Sequence, residues 1–335
     1  NEKVIIDSQF IGTLKGLKLE LDLKVDTLDT DIKSLKKAAR QSIAPELIKR
    51  IEQIIKTGLL EIKDDFKLYW GKFPIAKLLP GKDYLEPEIS LMVDDIIDNS
   101  DQKKLQHFLE NWLKEKIKII LKSLIDLKNL KEKNSSIRAL AYQLYENNGV
   151  LKRDKVSDYL KKLGQDERKV LRNLGVKFGR YHVFLFKLLK PEAVSLRILL
   201  WKNFNQKFFN LKPPTFGLNF IDDDNFKNKN FMLLCGFENF DKYYVRIDIL
   251  ERLFIKIMNS TPENRNEIKI VPEMLNLLGC SKENFLKLIR KMNYKTFEKN
   301  KENYFKYAPK KTKKFSYKEE KNDNPFSVLK NITFN

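Results

Sequence analysis

A predicted helix between Ser281 and Met292 carries cations on its polar side and apolar residues on the opposite side. Lysine and arginine side chains bind the phosphates of nucleic acids. Gly279 can end the preceding helix in a left-handed conformation and Ser281 can cap the next one, which is the turn of a DNA-reading helix-turn-helix. A small helical packing module or a protein-docking winged helix has the same pattern. The candidate phosphate-binding residues are Lys282, Lys287, Arg290 and Lys291.

Residues 295–322 combine ten lysines and four glutamates with interleaved aromatic residues, for a net charge of +6. Proteins bind single-stranded nucleic acid with cations that contact its phosphates and with aromatic rings that stack on its unpaired bases. Because a periodic apolar face is absent, we expect residues 298–335 to be a disordered basic tail in the free protein. A lysine-rich tail that is merely solvated is the alternative. The candidates here are Tyr304, Phe305, Lys310, Lys311, Lys313 and Lys314, with Lys177 and Arg180 beside a central β segment as further candidates.

The sequence lacks the motifs of ATP hydrolysis. It contains no Gly-x-x-x-x-Gly-Lys-(Ser/Thr) loop, and the acidic run at Asp166 lies at a predicted helix start instead of at the end of a buried strand. His107 is predicted to be a surface residue, and His182 a packed or capping residue. We therefore assign no catalytic residue to this chain, and whether the chain belongs to an enzyme stays open.

Metal sites and disulfides are not predicted either. Cys235 and Cys280 have no metal-ligand spacing, and we interpret them as two buried, reduced thiols. The acidic run 222–224 lacks a histidine or a further carboxylate at ligand spacing, so we interpret it as a solvated loop. We expect this chain to hold no cofactor and no metal.

The composition indicates a folded chain that attracts polyanions. The 335 residues are 42% hydrophobic and carry a net charge of +20, with a pI of about 9.6. Such a charge favours nucleic-acid binding through counterion release, although a general preference for lysine would also produce it. Neither a long uncharged apolar run nor a signal-peptide pattern is present, so we expect a cytoplasmic protein without a membrane partner.

The elements predict an α+β fold that is predominantly helical and divided into several small domains. Residues 1–128 would form an α+β domain with a possibly duplicated hairpin–helix unit, in which Pro45 interrupts the first helix and one long amphipathic helix runs from Asp101 to Leu127. Residues 135–210 would form a helical domain around a central β segment, itself arranged like a winged helix. Its helices would span 137–146, capped by Ser135 or Ser136, then 152–163 and 166–174, and a last helix would begin at Pro191. Residues 231–297, starting with a strand over 231–235, would form a winged helix-turn-helix-like domain.

Six blocks in the sequence resemble, in the same order, the region downstream of the motor in long alphaproteobacterial superfamily-2 helicases. These helicases are related to the mitochondrial RNA-degradosome helicase. The most specific block begins Leu-Gly-Val-Lys-Phe-Gly, continues with Leu-Leu-Lys-Pro-Glu-Ala, and ends in an aliphatic helix near Trp201. The six blocks are Gly71–Gly81, Ala139–Leu144, Leu174–Trp201, Val245–Leu253, Val271–Ser281 and Asn324–Leu329.

The resemblance implies an accessory region of an ATP-dependent RNA or RNA/DNA helicase, whose ATP- and Mg-dependent motor lies outside this sequence. The implied partners are nucleic acid, foremost single-stranded RNA, the upstream motor and a nuclease. Two alternatives stay open. The chain could be a protein-interaction scaffold of an RNA-degradation complex, or it could be a stand-alone winged-helix DNA-binding protein.

Overall fold

The structure, a computed structural model, describes residues 2–6, 9–21, 29–131, 134–225, 228–260 and 267–308. Helix accounts for 49% of it and strand for 24%, arranged as helices and several small antiparallel sheets. This confirms the predicted mixed α+β class, in which helix is the larger share. Among the described residues, no helix is long and apolar enough to cross a lipid bilayer.

The amino-terminal part of the chain contains two antiparallel sheets, each followed by a helix. The first sheet has strands in sequential order, and the four strands of the second are also sequential. Gly16 takes a positive φ of 59° in the turn of the first sheet, where its carbonyl accepts a hydrogen bond from Arg50. The elements are β1 (Glu2–Ile6), β2 (Gln9–Lys15), β3 (Lys18–Leu21), α1 (Asp29–Thr57), β4 (Leu60–Ile62), β5 (Lys67–Trp70), β6 (Phe73–Leu79), β7 (Glu88–Leu91), α2 (Asn99–Ile120) and α3 (Lys122–Lys128).

Two predictions about these helices are wrong. Helix α1 continues through Pro45, although proline removes one backbone hydrogen bond and costs about 3 kcal/mol inside a helix. The buried side chains of Leu47, Ile51 and Ile54 follow it at helical spacing and offset that cost. Conversely, the single long helix predicted up to residue 127 is broken at Leu121, which separates α2 from α3.

Three consecutive units with one topology form the rest of the described chain. In each unit a helix precedes the first strand, one or two helices link the first strand to the second, and the third strand pairs between the other two. The first unit has α4 (Ser135–Glu146), β8 (Val150–Lys152), α5 (Ser157–Lys162), α6 (Gln165–Asn173), β9 (Val176–Phe178) and β10 (His182–Leu185). The second has α7 (Pro191–Phe204), β11 (Phe220–Asp222), α8 (Lys229–Leu234), β12 (Phe237–Phe240) and β13 (Tyr243–Arg246). The third has α9 (Ile247–Asn259), β14 (Glu267–Lys269), α10 (Pro272–Leu278), α11 (Lys282–Lys291), β15 (Tyr294–Lys299) and β16 (Glu302–Tyr307).

The same junction leads from helix to second strand in all three units. Gly175, Gly236 and Asn293 each have a positive φ, of 91°, 90° and 67°. Each also donates its backbone N–H to the carbonyl three residues earlier. Glycine and asparagine tolerate this left-handed conformation best, which explains their presence at these positions. The repeat of the junction shows that the three units are built on one local plan.

Three further predictions about the units are corrected. The segment Phe231–Cys235, predicted as a strand, lies mostly in helix α8, because the Asn228 side chain caps that helix by accepting the N–H of Phe231. Helix α4 is capped by Asn134 and not by either of the predicted serines. The predicted helix over 152–163 is shorter, since residues 150–152 form strand β8 and a 3-10 helix precedes α5.

The hydrophobic cores link regions that are distant in the sequence. One core runs from Leu14 to Leu200 and crosses the predicted boundary at residues 128–135. A second core, from Tyr243 to Phe305, fills the third unit and includes strand β13. A small cluster of Val150, Phe184 and Ile247 joins the first unit to the start of α9. The units therefore pack on one another and on the amino-terminal sheets.

Candidate nucleic-acid interface

Helices α10 and α11 form a tight helix-turn-helix in the third unit. Gly279 has a φ of 69° and ends α10 in the left-handed conformation, and its N–H donates to the carbonyl of Leu275. Ser281 caps α11, with its Oγ accepting the N–H of Asn284 at 3.2 Å. Both local predictions for this turn are confirmed. The turn fixes the direction in which α11 leaves the core.

The apolar side of α11 is buried and its cations face solvent. Phe285, Leu288 and Ile289 are fully buried in the core of the third unit. The structure places all four predicted phosphate-binding residues on the exposed side of this helix: Lys282, Lys287, Arg290 and Lys291. The buried side thus fixes the position of the helix, and the four cations lie at exposed positions along it.

Two of these four cations already have protein partners. The Nε of Arg290 donates to Thr296 Oγ1 at 2.7 Å, which ties α11 to strand β15. Lys291 forms an ion pair of 2.7 Å with Asp241 in the turn between β12 and β13, and both side chains are more than half exposed. Lys282 and Lys287 have no ion pair among the described residues, so they are the most available for phosphate.

Strands β15 and β16 correct the prediction of a disordered tail beginning at residue 298. They pair as an antiparallel hairpin in which Tyr294 lies opposite Tyr307 and Lys299 lies opposite Glu302. A two-residue turn of Asn300 and Lys301 closes the hairpin. Both turn residues have positive φ, which is the backbone geometry of the commonest two-residue hairpin turn. Only one residue of β16 is buried, so its sequence Glu-Asn-Tyr-Phe-Lys-Tyr lacks the alternation of apolar and polar residues that is typical of a half-buried strand. Lys310, Lys311, Lys313 and Lys314, the remaining tail candidates, lie outside the described residues.

Phe305 is wrongly predicted as a nucleic-acid-binding residue. Its side chain is 0% exposed, with ring centroids 5.4 Å from Tyr294 and 6.2 Å from Phe285. Successive residues of a strand point to opposite faces, so its neighbour Tyr304 lies on the other face of the sheet. There Tyr304 is half-buried and stacks on Phe297, with a centroid distance of 5.9 Å. Tyr304 therefore lies on the partly exposed face of the sheet, whereas Phe305 packs in the core.

The two weaker candidates, Lys177 and Arg180, lie on the hairpin of the first unit. Lys177 is exposed on strand β9. The hairpin turn packs on the third unit, where the backbone N–H of Arg180 donates to the Glu251 carboxylate and its guanidinium lies 5.5 Å from the ring centre of Phe254. Arg180 is thus brought to the third unit, and its cationic group is already engaged with an aromatic ring.

A buried ionic cluster, missed by sequence reasoning, joins all three units at His182. The Nε2 atom of the His182 ring lies 2.6 Å from the Glu238 carboxylate on β12. The Nδ1 atom lies 3.7 Å from the Glu251 carboxylate on α9. Glu238 also accepts from Lys152 at 2.6 Å. Glu251 accepts three backbone N–H groups, from Arg180, Tyr181 and His182. The first-unit hairpin is thereby held by carboxylates of the other two units.

The electrostatics of this cluster favour the charged forms of His182 and Glu238. Burial opposes protonation of His182, but the hydrogen bond to Glu238 and the nearby charge of Glu251 outweigh it and raise its pKa above 6.5. Burial likewise opposes ionisation of Glu238, but the bonds from His182 and Lys152 outweigh it and lower its pKa below 4.5. His182 is 1% exposed, which confirms that it is a packed residue. His107, in contrast, is exposed on α2 as predicted.

The described residues contain no group of three or more His, Cys, Asp or Glu side chains placed to hold a metal ion. Asp222, in the acidic run, forms an ion pair with Lys242 at 2.7 Å. Of the two cysteines, Cys235 is buried as predicted, whereas Cys280 is only half-buried. Burial raises the pKa of Cys235 to about 12 and that of Cys280 to about 11. Both thiols are free and protonated at neutral pH.

Comparison with protein-family models, curated proteins and solved structures gave no match for this chain. The resemblance to superfamily-2 helicases therefore stays a prediction from the six sequence blocks. The geometry of the third unit is the basis for a functional proposal.

Proposed function

We propose that this chain binds nucleic acid through its third unit, a winged helix-turn-helix with α11 as its contacting helix. The proposal rests on the exposed cations of α11. The buried apolar side of this helix and the ordered turn before it fix the helix on the core of the unit. A preformed helix with several exposed cations contacts several phosphates without the cost of ordering its backbone on binding. The net charge of +20 adds long-range attraction to any polyanion.

The topology of the third unit supports this proposal. The third unit has the order helix, strand, helix, helix, strand, strand, and its third strand pairs between the first two. This order supports the assignment of the unit as a winged helix-turn-helix. In a helix-turn-helix the second helix meets the nucleic acid, and α11 holds that position. The hairpin of β15 and β16 would be the wing. The first unit has the same order, but its hairpin is occupied by Glu251, so the third unit is the better candidate.

We further propose that the chain is the accessory region of an ATP-dependent RNA helicase, in which it guides the substrate strand. The six family-like blocks support this. Two of them, Leu174–Trp201 and Val245–Leu253, touch each other through the bonds of Arg180 and Tyr181 to Glu251. ATP and Mg would serve the motor and not this chain. Single-stranded RNA in the cytoplasm, the motor and a nuclease are the proposed partners.

The decisive experiment measures binding of fluorescein-labelled 12-nucleotide RNA and its duplex by anisotropy across a salt series. The variant K282Q/K287Q/R290Q removes three cations from α11. We expect its affinity to fall roughly tenfold or more at 0.1 M salt, and its log–log salt slope for single strands to shrink by about 2. The matched control is K103Q/K114Q/K122Q, which removes three exposed lysines on α2 and α3, far from α11 in the sequence.

Three results would reject the proposal or redirect it. An equal loss of affinity in the α11 variant and in the lysine control would show that binding depends on total charge alone. Weak binding by the wild-type chain would favour a protein-interaction scaffold. Tight binding to one duplex sequence by a dimer would favour a stand-alone DNA-binding protein.

A further inference from the structure

The sheet of the third unit differs from the other two sheets in having an open face. In the first unit the central strand β10 is buried at all four positions, and in the second unit β13 is buried at Tyr243, Tyr244 and Val245. In the third unit only Phe305 of the central strand β16 is buried. The other units therefore have both faces of their sheets covered, whereas the third has one covered face and one open face.

The open face combines aromatic rings with lysines. Cross-strand pairing places Phe297 opposite Tyr304, Lys295 opposite Lys306, and Lys269 opposite Tyr304 on the third strand. The rings of Phe297 and Tyr304 are nearly parallel, with an interplanar angle of 17°. Neither ring packs against the buried core of the unit. We call Lys269, Lys295, Phe297, Tyr304 and Lys306 the aromatic–lysine face.

The charge of this face is positive after its ion pairs are taken into account. Lys269 is paired with Glu302 at 2.6 Å, and Lys299 with Glu267 at 3.6 Å. Within residues 267–308, Lys295 and Lys306 form no ion pair. The Nζ of Lys306 instead lies 5.7 Å from the ring centre of Phe297. Two unpaired cations therefore lie next to the stacked rings.

We propose that the aromatic–lysine face is a binding site for single-stranded nucleic acid. Unpaired bases stack against the rings of Phe297 and Tyr304, and Lys295 and Lys306 bind the flanking phosphates. Aromatic residues surrounded by cations bind single strands because every base has a π-face and every link has a phosphate. This inference rests on the proposed function and deepens it by naming the residues that hold the single strand and the stacking contact that distinguishes it from a duplex.

The shape of the face selects against duplexes. The faces of paired bases are occupied by their neighbours in the helix, so they cannot stack on protein rings. A sheet surface also cannot enter the deep, narrow major groove of an RNA helix. A single strand has neither restriction. Along one strand, Lys295 and Lys299 are about 13 Å apart, which allows more than one nucleotide to lie on the face.

The test compares the full-length chain with its F297L/Y304L variant, which keeps apolar side chains and removes the π-faces. The probes are a fluorescein-labelled 12-nucleotide oligo(U) RNA, a strand of equal length without bases, and a 12-base-pair duplex. We expect affinity for oligo(U) to fall roughly tenfold, because each stacked base accounts for a factor of about five to a hundred. Affinity for the base-free strand and the duplex should stay within twofold of wild type.

The matched control is Y142L/F186L, which removes one tyrosine and one phenylalanine that are 59% and 39% exposed in the first unit. This control should bind all three probes as the wild type does. If F297L/Y304L fails to fold by circular dichroism, the variant K295Q/K306Q tests the same face. It should lower the salt slope for oligo(U) by about 1.4.

Failure of this inference is distinguishable from failure of the proposed function. Suppose that F297L/Y304L binds oligo(U) as tightly as the wild type, whereas K282Q/K287Q/R290Q binds it more weakly. The aromatic–lysine face is then not the site, but the proposed function stands. A loss of duplex and base-free binding equal to the oligo(U) loss would also overturn the inference, because stacking would not be involved. If the wild type binds none of the probes, both proposals fail.

Discussion

The Nε2 of His182 lies 2.6 Å from the carboxylate of Glu238, and the two side chains are 1% and 8% exposed. His182 belongs to the first unit and Glu238 to the second, while Glu251 of the third unit approaches the other ring nitrogen. A buried ion pair adds little net stability, because both charges lose their hydration. Removing one member is nevertheless costly, since it leaves the other charge buried without a partner. The cluster therefore holds three units in one arrangement.

We expect the stability of the chain to depend on pH through this pair. The pKa of His182 is raised above 6.5 in the folded state, so its contribution is complete below pH 6.5 and is lost as pH rises through the raised pKa. The pKa of Glu238 is lowered below 4.5, so its contribution is present above pH 4.5 and is lost as pH falls through the lowered pKa. The pair stabilises most between these two limits.

Urea unfolding of the wild type and of Glu238→Gln at a series of pH values tests this dependence. The variant should lose about 3 kcal/mol of unfolding free energy at pH 6, and the difference should shrink as His182 deprotonates. Glu273→Gln removes an exposed carboxylate and should change stability by less than about 0.5 kcal/mol. A difference that stays constant as pH rises well above 6.5 would contradict a pKa of His182 that is raised by Glu238.

Gly179 is required by the close approach of the first-unit hairpin to Glu251. A Cβ at this position would lie 2.5 Å from both carboxylate oxygens of Glu251, which accept the three N–H groups of the turn. We expect Gly179→Ala to cost about 1–3 kcal/mol of unfolding free energy, because the carboxylate or the hairpin must move. Chemical denaturation of the full-length chain measures the cost.

The comparison for Gly179→Ala is Gly164→Ala. A Cβ at Gly164 meets the side chain of Glu167, whose partly exposed carboxylate accepts one hydrogen bond, a long one of 3.3 Å from Asn134. Its cost should stay below about 1 kcal/mol. If the two variants cost the same, the hairpin is not held by Glu251 in solution.

Elements with strong local signals could be predicted from the sequence. Helix α7 begins with Pro191 at its first position, and the turn from α10 to α11 has its glycine and its serine cap, as expected. Segment 231–235 was assigned wrongly because a short apolar run fits a buried strand and a buried helix equally. The cap at Asn228 was the local signal that favours a helix there.

The candidate site was predictable only in part. The cations of α11 follow from helical periodicity, and they are where the pattern places them. The roles of Glu238 and Glu251 were missed, because their partners are 56 and 69 residues away in the sequence and pairing at that distance leaves no local pattern. Phe305 is misassigned because β16 has a single buried residue, so no apolar alternation marks the side of the strand that faces the core.

Arg197 provides a second test of how the units are joined. Its side chain is fully buried on α7, where Nη1 donates to the carbonyl of Asn148 and Nη2 to that of Leu234, each at 2.6 Å. It thus links the first unit to the second, and burial lowers its pKa to about 10. Loss of the guanidinium leaves two buried carbonyls unsatisfied, each at a cost of about 1–3 kcal/mol.

We expect Arg197→Ala to lower the unfolding free energy by about 3–5 kcal/mol, because it adds a cavity to the two unsatisfied carbonyls. Arg197→Met fills most of the same volume and should cost about 2 kcal/mol less than alanine. Arg252→Ala, at an exposed position of α9, should change stability by less than about 0.5 kcal/mol. Urea unfolding followed by circular dichroism gives all three values. If Arg197→Ala unfolds at the same urea concentration as Arg252→Ala, the buried guanidinium does not join the units.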